Sequence, residues 1–313
     1  MEATLPRLPR QFDMDADGLY LLRGVVAGSA GYYPFQVREN ADHLLSMIRR
    51  YTSLFFCLVV ELSILGNHYH LVCRFEAFRR LSREELLALA QQFYPNPNYQ
   101  PYLHWNDAQW ERFNRRLFNV SELMRNVQSG YARWFNRRHH RKGRFWADRF
   151  RSTESDNLQE TAFYVALNPV RAHLARLPEE WRYGSAWLRK HGLGDWLMPL
   201  DELMSHPESA EEAERLYWTG LYWRGTLPSK EGDGRIPVEL AERMEQEQFD
   251  RGCYLRTIPA FSRGHVVGSF PAVQQAIHRC RTKNLYKRRK NPIPLGVGDL
   301  YALREQRSNY VSI

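Results

Sequence analysis

His68 and His70 are separated by one residue in a segment, His68 to Phe75, that reads as a β-strand. Alternation of side chains along a strand sends both imidazoles to one face and Tyr69 to the other, a geometry that can hold one metal ion. An H-x-H pair also arises by chance on many strands, and a histidine satisfied in a core is the commoner explanation. A second group lies farther along. Tyr164 and Asn168 stand four apart in a helical pattern, Asn157 to Asn168, and so share a face. An amide oxygen there can complete a metal site while the phenol one turn earlier reaches a phosphate bound to that metal. Spacing alone is equally served by a packed aromatic beside Phe163 and Leu167 and a helix terminator before Pro169.

The elements that must position these groups can be read in outline. Leu19 to Val26 and Thr52 to Leu62 read as strands, Ala41 to Tyr51 as a helix with Leu44, Leu45 and Ile48 on one face, and Leu65-Gly66-Asn67 as the turn into the histidine strand. Leu81 to Phe93 follows as a helix, and Tyr94 to Trp110, with three prolines and several asparagines, as a loop or insertion. Val120, Leu123, Met124, Val127, Tyr131, Trp134 and Phe135 recur at helical spacing across Leu117 to Asn136. Candidate N-caps at Ser155 to Asn157 open the helix that carries Tyr164. Further on, Asp201 to Tyr217, Val238 to Phe249 and Pro271 to Arg281 read as helices, with a loop over Leu227 to Pro237. Strands interspersed with helices, then mostly helices, predict an α+β antiparallel sheet followed by a mostly helical C-terminal extension. The boundary is expected between Trp187 and Asp201, dividing 15–192 from 193–313.

Lys and Arg outnumber Asp and Glu by 44 to 35, which suits a polyanionic partner. The excess is clustered in Arg133 to Arg151, containing Arg133, Arg137, Arg138, Arg141, Lys142, Arg144, Arg149 and Arg151, and again in Arg279 to Lys290. Trp134, Phe135, Phe145, Trp146 and Phe150 interleave with the first run and Tyr286 with the second, and such rings can stack on unpaired bases; a solvated basic face over an ordinary core is the plainer alternative. The cysteines, Cys57, Cys73, Cys253 and Cys280, lack C-x-x-C spacing, so reduced thiols are expected rather than a zinc ribbon or a disulfide framework. No apolar run of signal-peptide length opens the chain, and Leu54 to Val60 is too short to span a bilayer, so a cytoplasmic protein with no membrane partner is expected.

One ordered set of motifs sharpens this reading. Gly66-Asn67-His68-Tyr69-His70-Leu71-Val72, Tyr131 to Arg138, Gly143-Arg144-Phe145-Trp146, Arg149-Phe150-Arg151-Ser152 and Tyr164-x-x-x-Asn168-Pro169-Val170-Arg171-Ala172 occur in one sequence. From about residue 18 to 190 the chain resembles the REP-associated tyrosine transposases, a branch of the single-tyrosine HUH transposases, and Phe261 to Ser269 resembles the C-terminal extension of longer members. The resemblance implies a ferredoxin-like sheet with the histidine strand at its centre. It implies His68 and His70 as metal ligands, Asn168 as the third, and Tyr164 as the nucleophile. It implies single-stranded DNA with hairpins, from repetitive palindromic elements, as the partner, in a monomer or a homodimer. Two imidazoles and one amide oxygen are compatible with Mg²⁺ or Mn²⁺ and leave coordination positions open. Arg133, Trp134, Arg137, Arg138, Arg141, Lys142, Arg144, Trp146, Arg149, Arg151 and Arg171 are then the expected DNA contacts. Two departures stand out: Tyr69 replaces the usual aliphatic residue, and Leu19 to Gly24 lacks a histidine found in many relatives. A hairpin-binding regulator without catalysis, or a metal-dependent nuclease using water, would share many of these features.

Overall fold

The computed structural model describes residues 12–247, 249–282, 291–296 and 299–304. Its centre is a βαββαβ arrangement. β1 (Gly18–Val25) leads through α1 (Arg38–Thr52) to β2 (Cys57–Ile64) and β3 (His68–Phe75). Two helices, α2 (Arg83–Phe93) and α3 (Asp107–Leu117), precede α4 (Val120–Arg138), which returns the chain to β4 (Arg151–Ser155). These strands lie in the order β2-β3-β1-β4 and pair antiparallel, the ferredoxin-like topology, with the histidine strand between β1 and β2.

After β4 come α5 (Leu158–Ala166), α6 (Asn168–Arg171), α7 (Ser185–Lys190), α8 (Leu200–Leu203), α9 (Ala210–Gly225), α10 (Val238–Ala241) and α11 (Arg251–Arg263). The C-terminal extension is helix-rich but also lengthens the sheet. β5 (Gly264–Gly268) pairs parallel with β4, α12 (Phe270–Thr282) follows, and β6 (Ile293–Pro294) and β7 (Tyr301–Arg304) complete the order β5-β7-β6. The basic residues Lys283, Lys287, Arg288, Arg289 and Lys290, with Tyr286, lie outside the described residues, as does most of the N-terminal segment Met1 to Asp13. No described helix is long and apolar enough to cross a membrane.

Strand alternation divides the core in two. Tyr20 and Leu22 of β1 and Tyr69 and Leu71 of β3 pack with Leu44 and Ile48 of α1 and Leu123, Val127 and Tyr131 of α4. Leu19 and Leu21 of β1 and Val72 of β3 pack on the opposite face, with Phe163 of α5, Tyr217 and Leu221 of α9 and Tyr254 and Ile258 of α11. Residues on both sides of position 192 therefore share one buried cluster, where Phe163 meets Tyr217. Tyr69 faces α4: its hydroxyl accepts from Gln128 Nε2 at 3.1 Å and its ring meets Trp146 edge-on. Gly24 lies directly across β1 from Tyr69, and a Cβ there would collide with that ring, so the glycine makes room for the aromatic side chain.

Helix termini follow local chemistry. Ser82 and Glu85 form a capping box on α2, Asn106 and Gln109 another on α3, and Asn119 accepts from the first amides of α4. Asn157 caps α5 through Glu160 N. Pro169 does not end the helical path. It sits in the first turn of α6, where its missing N–H costs nothing.

Glu61 of β2 is fully buried beside Val72 in register, with Tyr217 Oη donating to Oε2 at 3.2 Å and Oε1 left without a hydrogen-bond partner. Burial pushes its carboxyl up to about 7 from 4.5, against the opposing pull of Arg189 and of hydrogen bonds from Ser185 and Tyr217. Between those pH values the folded chain keeps a proton that the unfolded chain has lost. The contribution is complete below about pH 4.5 and is lost as pH rises through 7, amounting to on the order of 3 kcal/mol. Glu61→Gln, neutral throughout, should flatten this decline in urea unfolding measured at pH 5 and pH 8. Equal losses in variant and wild type would show that Glu61 is instead ionised against Arg189 in the folded chain.

Candidate functional site

β3 presents His68 and His70 to the face that carries Val72, and α5 lies across β2 and β3 on that face. The rings of His68 and His70 are 5.2 Å apart, and the ring of Tyr164 meets that of His70 edge-on at 5.7 Å. Two groups nearly a hundred residues apart in sequence thus share one buried space, His70 at 4% exposure and Tyr164 at 5%.

The imidazoles are prepared as neutral donors. His68 Nδ1 lies 2.9 Å from Asn67 Oδ1, which can only accept, so Nδ1 carries the proton and the lone pair is left on Nε2. Burial, reinforced by the positive charge of Arg23, lowers His68 to about 4. His70 is held well below its ordinary value by burial first, then by His68 and Arg23. His70 Nδ1 is buried with no hydrogen-bond partner. Uncharged imidazoles with an orphaned nitrogen fit a divalent ion. No cluster of three or more His, Cys, Asp or Glu residues occurs among the described residues, so a third protein ligand would come from another residue type.

Asn168 opens α6, with Leu167 between it and the end of α5. Its Nδ2 donates to Tyr164 O at 2.8 Å, which fixes the amide against the helix end and leaves Oδ1 for another partner. Burial raises the Tyr164 phenol above its ordinary value, opposed by the charges of Arg171 and Arg23 and by a hydrogen bond from Asn168. The helix itself is anchored. Arg224 of α9 donates to Glu160 of α5 from Nε at 3.0 Å and from Nη2 at 2.6 Å, and to Glu247 from Nη1 at 2.8 Å.

The expected DNA contacts separate by depth. Arg133, Arg137, Lys142, Arg144, Arg149 and Arg151 are exposed, whereas Phe135, Phe145 and Phe150 are buried. Trp134 stacks on His43 at 3.8 Å, and Trp146 donates from Nε1 to Gln128 O at 2.8 Å, so both indoles are partly buried and pack against the core around α4. Arg138 is paired with Glu39 at 2.8 Å and Arg141 donates to Tyr32 Oη at 2.8 Å. Arg171 is placed elsewhere altogether. It is buried behind α5, donating from Nη1 to Tyr164 O at 3.3 Å and from Nη2 to Tyr254 Oη, and so supports the tyrosine rather than lining the surface. The basic loop nonetheless reaches the site. Ala27 N donates to Phe145 O, Ala147 N to Val25 O, and Val25 is the register partner of His68.

Arg23 belongs to none of the sequence motifs, and register places it beside His70. The one available signal was its spacing from Leu19 and Leu21, which puts it on their face of β1.

No protein-family model matches this chain, and no curated protein is significantly similar to it. Among solved structures, a REP-associated tyrosine transposase bound to a REP hairpin is similar at 10% identity and a TM-score of 0.39, covering 62% of this chain and 89% of that one.

Proposed function

We propose that this chain cleaves and rejoins single-stranded DNA through a covalent phosphotyrosine at Tyr164, acting on strands that carry hairpins. The observation that supports this most directly is the edge-on approach of Tyr164 to His70 at 5.7 Å on one buried face. His68, His70 and Asn168 would hold Mg²⁺ or Mn²⁺. When bound, such an ion polarises the phosphate and offsets the charge that grows during attack.

The chain's own groups supply the remainder. Arg171 and Arg23 favour the ionised phenol, while burial among apolar side chains limits water that would compete for the phosphate. Tyr164 Oη bonds to phosphorus and loses its proton as the bond to the 3′ oxygen breaks, and that oxygen leaves as a hydroxyl. The DNA is then joined to the protein at its 5′ phosphate. Because one phosphodiester replaces another, a 3′ hydroxyl can reverse the step without ATP.

A flexible strand can bend into such a site, whereas paired duplex holds its phosphates outside. Arg144 and Arg149, on the loop beside the His68 end of the sheet, and Arg151, the first residue of β4, would guide it. To test this, a hairpin oligonucleotide labelled on the 3′ side of the scissile phosphate is incubated with the chain and Mn²⁺, then run on a denaturing protein gel. Label migrating with the protein supports the tyrosine route. Cleaved oligonucleotide with no label on the protein points to water as nucleophile, and binding without cleavage to a regulator.

A further inference from the structure

Four residues stand in one row across the sheet. Ser63 of β2 pairs with His70 of β3, His70 with Arg23 of β1, and Arg23 with Arg151 of β4. The row is on the face covered by α5, because Leu21 and Val72, two residues along from Arg23 and His70, pack with Tyr164 there. Three of its polar atoms, Ser63 Oγ, His70 Nδ1 and Arg23 Nε, are buried without hydrogen-bond partners.

Arg23 is the informative member. Arg224 is neutralised by Glu160 and Glu247 and Arg279 by Glu154 and Asp13, while Arg171, which has no carboxylate among the described residues, donates to Tyr164 O and Tyr254 Oη. Neither Arg23 nor Arg151 has a carboxylate partner among the described residues, and they face each other across β1 and β4 as like charges. Withholding a counter-ion from a partly buried guanidinium is costly unless an anion arrives to fill the place. Arg23 stands opposite His70 in register, and the His70 ring meets those of His68 and Tyr164, so the place to be filled lies beside this group.

We propose that Arg23, with Arg151 beside it, forms the anion site that holds the scissile phosphate against Tyr164. A phosphodiester carries one negative charge and two non-bridging oxygens, which match the paired donors of a guanidinium fork. This inference rests on the tyrosine reading above, but the site would bind phosphate without a metal.

The test therefore begins in EDTA. Affinity for a hairpin with a single-stranded flank is measured against salt in a Tyr164→Phe background, with and without Arg23→Gln. Loss of one phosphate contact should reduce the slope of log K against log salt by about 0.7 to 1. With Tyr164 restored and Mn²⁺ added, Arg23→Gln should slow adduct formation by roughly 10²- to 10³-fold. Arg23→Lys, which keeps the charge and loses the fork, should preserve the salt slope and still form adduct slowly, and thermal melts of both variants report folding. If wild type forms adduct and Arg23→Gln matches it within about twofold, the inference is overturned whatever the slope. If wild type forms none, the tyrosine reading fails and the slope alone decides: a reduced slope keeps the anion site, and an unchanged one removes it.

Discussion

Tyr164→Phe should abolish covalent protein–DNA adduct, by at least about 10⁴-fold, while hairpin binding stays within a few-fold of wild type. Removal of a nucleophile removes the covalent intermediate formed on it, and losses of this size accompany such deletions elsewhere. The substitution is otherwise mild. The ring at position 164 is packed against His70 at 5.7 Å and Phe261 at 5.3 Å, and a phenyl ring occupies the same volume. Arg171 grips the backbone carbonyl of residue 164, a contact indifferent to the side chain. Adduct in the Phe variant at anything near the wild-type rate would place the nucleophile elsewhere.

His70→Ala should remove metal-dependent cleavage and, separately, the binding of Mn²⁺ itself. Electron paramagnetic resonance reports the free ion, so titration distinguishes the two losses. Wild type should deplete the free-ion signal, and His70→Ala should leave it close to that of buffer. His68→Ala should do the same with less damage to the fold, because His68 is only partly buried whereas His70 is 4% exposed. Loss of one of so few protein ligands lowers affinity steeply, and a 10²-fold or greater fall in cleavage at fixed Mn²⁺ is expected. Unaltered Mn²⁺ binding in both variants would exclude this pair as ligands.

Much of the architecture was legible where periodicity is strong. The histidine strand is found over His68–Phe75 as read, and α4 occupies Val120–Arg138 where helical spacing ran from Leu117 to Asn136. Other elements depend on partners distant in sequence. β4 is Arg-Ser-Thr-Glu-Ser, polar and charged, and becomes a strand by pairing with β1 on one edge and β5 on the other. Part of the expected Thr52 to Leu62 strand is helix end and turn, and the strand begins at Cys57. α3 lay at the end of a segment read as loop, and is set by the Asn106–Gln109 box. The expected Val238 to Phe249 helix is helical over Val238–Ala241.

The site shows the same division. The spacing of His68 with His70, and of Tyr164 with Asn168, is local and readable. The meeting of these pairs requires α5 to cross β2 and β3, and the row through Arg23 exists only once strand register is known. Arg171 depends on a helix turn rather than on register: it follows the tyrosine in the Asn168-Pro169-Val170-Arg171-Ala172 motif, and the short helix α6 turns it inward to Tyr254.

The connection Leu65-Gly66-Asn67 is therefore more than a link between strands. Leu65 N donates to His68 O at 2.8 Å and so fixes where the histidine strand begins. Because side chains alternate, a slip of one residue in β3 would carry both imidazoles under α4 and bring Tyr69 into the space beside Tyr164. A change in its length by one residue exchanges the two faces unless a bulge takes up the difference, as the register shift between Val59 and Glu61 of β2 does in the same strand pair. The chemistry proposed here thus depends on a counting rule as much as on residue identity: chains that diverge widely around the site can keep it, provided the interval between β2 and His68 is kept in number or compensated by a bulge.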